Sequence, residues 1–313
     1  HHCTRGIWLD WQAQGTRVTQ NLLHDNTLPN LSENPDKEEF LGMGEDIFVE
    51  VSHGPTLIDN NLLLSTRSLK LAAQGIAVVH NLIGGALTAV GIGTDNGALT
   101  LNSPRYTPYH VAHRTEVMGF MTFLHGDVRF YNNIFVQQDV HPALVEAMER
   151  TKEHPNMWDD SNVEVGTFKY DGYPTFEEWD KEFEGYCGMG SEPSDRYYMH
   201  LPVWADGNVY YGGAKPWEKE ANAKVIPDKV TLKLNQQDGK YTLETNLYDL
   251  LPEMKAPCVS TEFLGEAFEP EEKFENPDGT PIIFNQDYFG RHRAINPMPG
   301  PFESETELQE ALF

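Results

Sequence analysis

The sequence lacks several features that define familiar functional classes. Its 313 residues include three cysteines, Cys3, Cys187 and Cys258, which are far apart and form no Cys-x-x-Cys pair. A thiolate zinc site is therefore unexpected, although one disulfide between two of them stays open. No apolar run reaches about 18 residues, so we expect no segment that spans a membrane. A P-loop, a Gly-x-Ser-x-Gly elbow and a correctly spaced dinucleotide fingerprint are also absent.

Positive charge is scarce. The chain has 23 basic and 48 acidic residues, which gives a formal net charge of −25. Such a surface repels phosphate backbones, so we expect no nucleic-acid partner. A strongly anionic polymer would also bind poorly without assistance, whereas a neutral glycan or a small molecule fits the charge. Ordinary solubility explains the same charge equally well.

An internal repeat is the main positive signal. Four segments read apolar-x-x-Asn-apolar-apolar, and their asparagines are Asn21, Asn61, Asn81 and Asn133. These asparagines are 40, 20 and 52 residues apart. A period of about 20 residues is typical of one coil of a parallel β-helix, and the longer intervals indicate coils with insertions. We expect each asparagine to take the left-handed backbone of a bend and its amide to bond from coil to coil.

The sequence therefore predicts an all-β protein, a right-handed parallel β-helix with a C-terminal β-rich appendage. We predict coils over residues 1–140 with inserted loops at 24–45 and 84–119, a helical or irregular linker at 141–190, and a β-rich region at 191–313 packed on the coils. The predicted local elements are helices at 141–153, 174–184 and 304–312 and a hairpin that turns at Asp238-Gly239. The first coil would expose a sheet edge, so we expect a missing N-terminal β-helix segment of the same protein, or a second chain, to cover it.

A column of polar residues precedes the repeat asparagines. Eleven residues before them stand Asp10, Glu50, Lys70 and Thr122, each between apolar flanks. Strand side chains alternate between faces, so this column is predicted to point outward from one sheet, on strands roughly 4.8 Å apart. Two neighbouring carboxylates can supply the acid and the nucleophile or base of glycoside hydrolysis, and this spacing favours retention. We therefore predict Asp10 and Glu50 as catalytic residues, with a solvated charge ladder, in which Lys70 neutralises Glu50, as the alternative.

Aromatic and histidine residues lie near this column in the sequence. Trp8, Phe48 and Phe120 precede it by two residues and are predicted to face outward as a sugar-stacking platform, although packing against the C-terminal region would explain them equally. Trp11 is expected in the core. The full set of predicted substrate-binding residues is Trp8, His53, Lys70, His80, His110, His113, Glu116 and His125. The His-x-x-His spacing of His110 and His113 could bind a metal, but hydrogen bonding to sugar hydroxyls is favoured. We predict no metal site or cofactor, with calcium left open.

Longer motifs resemble a known family. They are residues 6–11 (GIWLDW), 48–55 (FVEVSHGP), 107–117 (TPYHVAHRTEV), 129–135 (RFYNNIF), 287–291 (DYFGR) and 301–303 (PFE). The stretches from residue 6 to residue 135 resemble right-handed, pectin-lyase-like β-helix proteins of glycoside hydrolase family 141, whose members are described as α-L-fucosidases and xylanases. The stretches at 287–291 and 301–303 resemble the closing segment common in bacterial β-helix proteins. The resemblance implies a secreted or periplasmic bacterial hydrolase that acts on plant or host polysaccharide. It also implies acidic residues on the helix face, which match Asp10 and Glu50. The chain departs from the family by lacking the N-terminal coils.

Two other functions remain open from the sequence. A polysaccharide lyase on the same fold would need a basic residue to abstract a proton, and Lys70 or Arg17 could serve. A non-catalytic glycan-binding or structural module would need no catalytic carboxylate. All three hypotheses share an oligosaccharide or polysaccharide partner.

Overall fold

The structure is a computed structural model that describes residues 1–26, 44–89, 106–140, 142, 145, 163–184, 199–304 and 310–312. Its strands are, in chain order, β1 (Arg5–Leu9), β2 (Thr16–Thr19), β3 (Leu22–Leu23), β4 (Glu45–Glu50), β5 (Thr56–Asp59), β6 (Leu62–Leu63), β7 (Arg67–Ala72), β8 (Ile76–Val79), β9 (Leu82–Ile83), β10 (Ala86–Ala89), β11 (Tyr106–His110), β12 (Val117–Thr122), β13 (Val128–Tyr131), β14 (Ile134–Val136), β15 (Val203–Asp206), β16 (Val209–Tyr211), β17 (Lys224–Ile226), β18 (Leu232–Gln237), β19 (Lys240–Thr245), β20 (Glu266–Ala267) and β21 (Glu272–Lys273). The helices are α1 (Phe176–Glu182), α2 (Thr261–Leu264) and a 3-10 turn at Phe168–Tyr170.

Three parallel sheets organise the chain. Sheet A has the order β1-β4-β7-β10, sheet B β15-β13-β8-β5-β2, and sheet C β17-β16-β14-β9-β6-β3. From β1 to β9 successive strands enter sheets A, B and C in turn. The predicted all-β class with parallel sheets is confirmed, and the strand order is consistent with a parallel β-helix. The sheets continue past residue 140, where the sequence placed the end of the coils, because β15 and β16 add to sheets B and C.

Several local predictions have a clear outcome. The helix predicted at 174–184 is confirmed as α1, with the capping box between Thr175 and Glu178. The hairpin turning at Asp238-Gly239 is confirmed as β18 and β19. The helix predicted at 141–153 lies outside the described residues except at 142 and 145, and Cys187 also lies outside them. Of the helix predicted at 304–312, residues 304 and 310–312 are described and are not helical. Cys3 and Cys258 are exposed and free of any disulfide.

The space between the three sheets is filled by apolar side chains. Alternate residues of β4 and β7, such as Ile47, Val49 and Leu71, point inward and are at most 1% exposed. Ile58 of sheet B and Leu63 of sheet C meet them in the same cluster. Each coil completes the core of its neighbour in this arrangement, so no single coil would be stable alone.

A ladder of asparagines joins the coils between sheets B and C. The side-chain oxygen of each ladder asparagine accepts hydrogen bonds from both the backbone N–H and the amide of the preceding one, at 2.9–3.0 Å. Its members are Asn21, Asn61, Asn81, Asn133 and Asn208. The predicted ladder is confirmed for the described coils. Asn208 is a fifth rung that the repeat search missed, although Ala205 to Tyr210 fit the pattern.

The left-handed bend was assigned to the wrong residue. The positive backbone φ belongs to the residue before each ladder asparagine: Gln20, Asn60, His80, Asn132 and Gly207, with φ from 53° to 73°. The bend therefore turns the chain, and the following asparagine is left free to bond along the ladder. Both positions are needed, since a left-handed residue without the amide would leave backbone carbonyls unbonded.

The ladder ends on a carboxylate. Glu220 Oε1 accepts from the backbone N–H and the amide of Asn208, and its Oε2 accepts from the Tyr210 hydroxyl at 2.7 Å. Because every asparagine donates to the next one along the ladder, the last asparagine, Asn208, needs an acceptor from outside the ladder. Burial raises the pKa of Glu220 to about 7.

The outer faces of sheets B and C are covered by the C-terminal residues. Leu62 and Leu82 of sheet C pack against Leu243 and Phe302. Sheet B is covered by a second cluster that joins Leu57, Ala77, Val79 and Tyr131 to Val259, Leu264, Phe274 and Phe284. The outer face of sheet A carries polar and aromatic side chains and belongs to neither of these two clusters.

Replacing Asn81 by alanine should destabilise the fold strongly. Asn81 is fully buried and donates to Ile58 O and Asn133 Oδ1, so its loss leaves buried groups without partners, at about 1–3 kcal/mol for each. The measurement is the free energy of unfolding in urea, with Asn276→Ala as control, because the amide of the half-buried Asn276 makes only solvent-exposed hydrogen bonds, to Thr280 and Pro281. Equal stability of the two variants would contradict a structural role for the ladder.

Glu220 should make stability fall as the pH rises. Its pKa is higher in the folded chain than the ordinary 4.5, so the folded state binds the proton more tightly, and stability is lost from about pH 4.5 to about pH 7. Glu220→Gln keeps an amide carbonyl for Asn208 and removes this titration. The free-energy difference between wild type and variant should shift by about 1–3 kcal/mol across that window in urea unfolding. A constant difference would show that Glu220 does not titrate in this range.

Candidate functional site

Sheet A carries the predicted catalytic column, with a corrected register. Trp8, Phe48 and Lys70 are aligned across β1, β4 and β7, and Ala72 lies opposite Glu50. Lys70 is therefore two positions away from the level predicted for it. The reason is the length of the link from sheet A to sheet B, which is residues 51–55 in the second coil and 73–75 in the third.

Thr122 does not belong to the column. It ends β12, which forms an antiparallel hairpin with β11, and it lies opposite Tyr106 there. Phe120 lies on the same hairpin and is 61% exposed, so it is not part of the outer face of sheet A. The hairpin is an insertion between sheets A and B, which local spacing alone did not reveal.

Asp10 and Glu50 lie one residue beyond the paired positions Leu9 and Val49 of β1 and β4. The register Leu9↔Val49 places them at the next level on adjacent chains, where the strand spacing is roughly 4.8 Å. Asp10 is exposed and its Oδ1 accepts from the backbone N–H of Trp11 at 2.8 Å. Glu50 Oε2 accepts from the indole N–H of Trp8 at 2.8 Å. A hydrogen bond from a tryptophan therefore helps to orient each of the two carboxylates.

Aromatic and basic groups flank this pair. Trp8 is 50% exposed and stacks on Phe48, with ring centroids 5.7 Å apart, while Phe48 itself is buried. The Arg5 guanidinium lies 4.4 Å from the Trp8 ring centroid and 4.6 Å from that of Phe48. Cations near aromatic faces hold the rings in place. Of the predicted platform, Trp8 is half exposed, whereas Phe48 on the neighbouring strand is buried against it.

Trp11 was expected in the core, but it is 48% exposed. It follows Asp10 with φ 27°, and Gln12 follows with φ 61°. Val51, the residue after Glu50, also has a positive φ of 38°. Such backbone is costly for non-glycine residues and is concentrated at functional sites. Left-handed backbone thus follows directly after both Asp10 and Glu50, at the corner between sheets A and B.

A hairpin residue holds the turn that carries Asp10. Gln14 accepts from the His110 backbone N–H at 2.7 Å and donates to the His110 carbonyl at 2.9 Å. The His110 ring lies 3.0 Å from Gln12 Oε1. Gln14 also bonds Glu272 of the C-terminal region. His110 is thus brought next to the site as predicted, but its contacts position the Asp10 turn.

His113 and Glu116 lie at the tip of the hairpin. His113 Nε2 is 2.8 Å from Glu275 Oε1, and this hydrogen bond raises the pKa of His113. Glu116 pairs with Arg114, which lowers the pKa of Glu116. Both residues are near the surface, and both already have protein partners.

Three predicted sugar-binding histidines are buried. His53 lies between Gln74 and the Thr107 carbonyl, and burial lowers its pKa to about 4. His80 is fully buried between Gly300 O and Asn132, and burial places its pKa well below the ordinary value. His125 is 3% exposed and packs against Phe123. Their positions give them structural roles, because a bound sugar would not reach them.

Lys70 and Arg17, the two bases considered for a lyase, are also engaged. Lys70 is 2% exposed, with its Nζ 3.6 Å from Glu45 Oε1. Arg17 makes two hydrogen bonds to Asp59, at 2.8 and 2.9 Å, and this raises the pKa of Arg17. Neither offers a neutral amine or guanidine at the site.

Within the described residues, no group of three or more His, Cys, Asp or Glu side chains is arranged to hold a metal ion. The same part of the chain contains no helix of the length and apolarity that a bilayer crossing requires. Neither observation bears on the residues between the described ranges.

The residues that sequence reasoning missed are Arg5, Gln12, Gln14, Glu272 and Glu275. The first three belong to β1 or to the turn after it, so the sequence alone indicates that they lie close to Asp10. Glu272 and Glu275 come from more than 250 residues downstream of Asp10, and no local pattern indicates that they approach it.

Comparison with known proteins gives one structural relative. No protein-family model matches the chain, and no curated protein matches it. Among solved structures, the chain is similar to XylC, solved as a complex with xylose, at 30% sequence identity and a TM-score of 0.74. The match covers 97% of this chain and 40% of XylC. The chain thus spans less than half the length of this relative.

Gln14→Ala should loosen the hairpin from the Asp10 turn. The change removes both the acceptor for the His110 N–H and the donor to its carbonyl, so hydrogen exchange of the His110 amide should accelerate by about tenfold or more, equivalent to about 1.4 kcal/mol. Gln12→Ala, which removes one bond to the His110 ring, is the matched control. Unchanged exchange in Gln14→Ala would mean that the hairpin is held elsewhere.

Proposed function

We propose that the chain carries the carboxylate pair of a glycoside hydrolase that acts on a xylan-type polysaccharide. The observation that carries the proposal is the placement of Asp10 and Glu50 at one level of adjacent chains, beside the exposed rings of Trp8 and Trp11. Large apolar rings that stay exposed to solvent often mark a binding site, and indole rings can stack on the face of a sugar ring.

In this mechanism one carboxylic acid protonates the leaving oxygen and the other carboxylate acts on the anomeric carbon. Glu50 accepts a hydrogen bond from Trp8, which keeps its carboxylate oriented across the face where a sugar would stack. We propose a retaining reaction, because adjacent strands at roughly 4.8 Å suit a direct nucleophile better than an intervening water. The retaining assignment rests on strand spacing.

The xylan type is favoured over the fucosidase type by the likeness to XylC, whose structure contains xylose. Membership of glycoside hydrolase family 141 remains a proposal that rests on the sequence motifs. We also propose the right-handed parallel β-helix, since crossovers between parallel strands are right-handed in nearly all proteins.

The lyase alternative is less supported, because its two candidate bases are held by carboxylates. A non-catalytic binding module would keep the tryptophans and would not need Asp10 or Glu50. The experiment below separates it from the hydrolase.

We further propose a secreted or periplasmic location and a further coil that stacks on β1, β2 and β3. These strands are the edges of sheets A, B and C, respectively, at the same end, and open edges invite pairing. Such a coil, from the same protein or a second chain, would border Asp10.

Asp10→Asn and Glu50→Gln should each reduce release of reducing sugar from xylan and from aryl xylosides by at least about 100-fold. The reason is that each change removes one of the two proton-transfer or nucleophilic groups and keeps the side-chain shape. The assay uses the protein with any preceding coils present, and Asp180→Asn and Glu177→Gln on α1 serve as exposed controls.

Full activity in both variants would overturn the assignment of the pair and leave the fold untouched. Substrate binding without turnover in the wild type would favour the binding module. Release of an unsaturated product would show that the protein is a polysaccharide lyase.

A further inference from the structure

A pocket of about 830 Å³ lies in the C-terminal region that covers sheet B. Glu262, Glu266, Lys273 and Glu275 supply its charged walls, and Pro281, Ile282 and Ile283 supply apolar ones. A volume of this size is typical of small-molecule sites. Ile283 is 63% exposed, which leaves an apolar contact surface at the pocket.

The pocket is connected to the candidate catalytic corner by direct contacts. Glu275, in its wall, bonds His113 of the hairpin whose His110 holds the Asp10 turn. Glu272, the neighbour of the wall residue Lys273, bonds Gln14 of that same turn. Hydrogen bonds through the hairpin and through Glu272 therefore link the pocket wall to the turn after Asp10.

The chemistry of the lining selects against anions. Three carboxylates and one amine face the pocket, within a chain of net charge −25, so a phosphate or uronate would be repelled. Carboxylates accept hydrogen bonds from hydroxyl groups, and the apolar wall suits the C–H face of a pyranose ring. A neutral sugar satisfies both kinds of surface.

We propose that this pocket binds additional sugar units of the glycan chain that occupies the Asp10–Glu50 corner. The inference rests on the proposed function and extends it, because it makes a polymer, and not a single terminal sugar, the preferred ligand. Ile283 and the carboxylates of Glu262 and Glu266 are the contacts for these remote units.

The test is calorimetric titration with xylose, xylobiose and xylohexaose, in a Glu50→Gln background that prevents cleavage. The parent should bind xylohexaose at least about tenfold more tightly than xylobiose, which corresponds to about 1.4 kcal/mol. Ile283→Ser, and separately Glu262→Gln with Glu266→Gln, should remove most of this gain and leave xylobiose unaffected. The matched control is Ile295→Ser, since Ile295 is 95% exposed and lies outside the pocket.

Equal affinity of the parent for xylobiose and xylohexaose would overturn the pocket assignment and leave the proposed function standing. The pocket assignment would also be overturned if the pocket variants kept the full gain in affinity for xylohexaose over xylobiose. It would be overturned equally if these variants lost affinity for all three sugars with an unchanged Tm. Absence of binding by the parent to all three sugars would overturn the proposed xylan-type substrate, and the pocket assignment with it.

Discussion

The asparagine ladder fixes one corner of every described coil. Each rung donates its own backbone N–H and its side-chain amide to the side-chain oxygen of the next rung, so the chain enters sheet C at the same level in each coil. The corner between sheets A and B has no such constraint. Its links are residues 10–15, 51–55 and 73–75 in the first three coils, and the fourth carries the β11–β12 hairpin there. The ladder lets this corner vary in length without disturbing the core, and the candidate site lies at the variable corner.

The same division explains why the candidate site lies on sheet A. Apolar clusters with the C-terminal residues cover the outer faces of sheets B and C, and those faces hold Leu57, Leu62 and similar side chains. Sheet A has Trp8, Phe48 and Lys70 in the corresponding places. Asp10 directly follows β1, the edge strand of this sheet.

The sequence predicted the parts of the fold that repeat locally. The apolar alternation and the asparagine period predicted the parallel sheets and the ladder. The level of Lys70 was wrong because the register depends on link length, which the spacing from the asparagine ignores. His53 and His80 were misread as surface ligands because burial between a coil and an insertion, or beneath the C-terminal residues, has no local signature. The approach of Glu272 and Glu275 to the site was hidden for the same reason.

Precision at the site must come from outside sheet A. Asp10 follows the last residue of an edge strand, and the next two residues have left-handed backbone, so the strand itself holds little of this turn. Catalytic groups need supporting contacts that fix their geometry to a fraction of an ångström. Here Gln14 bonds His110 on the hairpin and Glu272 on the C-terminal region, and His113 bonds Glu275 across the same gap. The insertion and the C-terminal region therefore brace the carboxylate turn from two sides. A substrate chain that lies along these braces would meet Asp10 in a position set by all three segments.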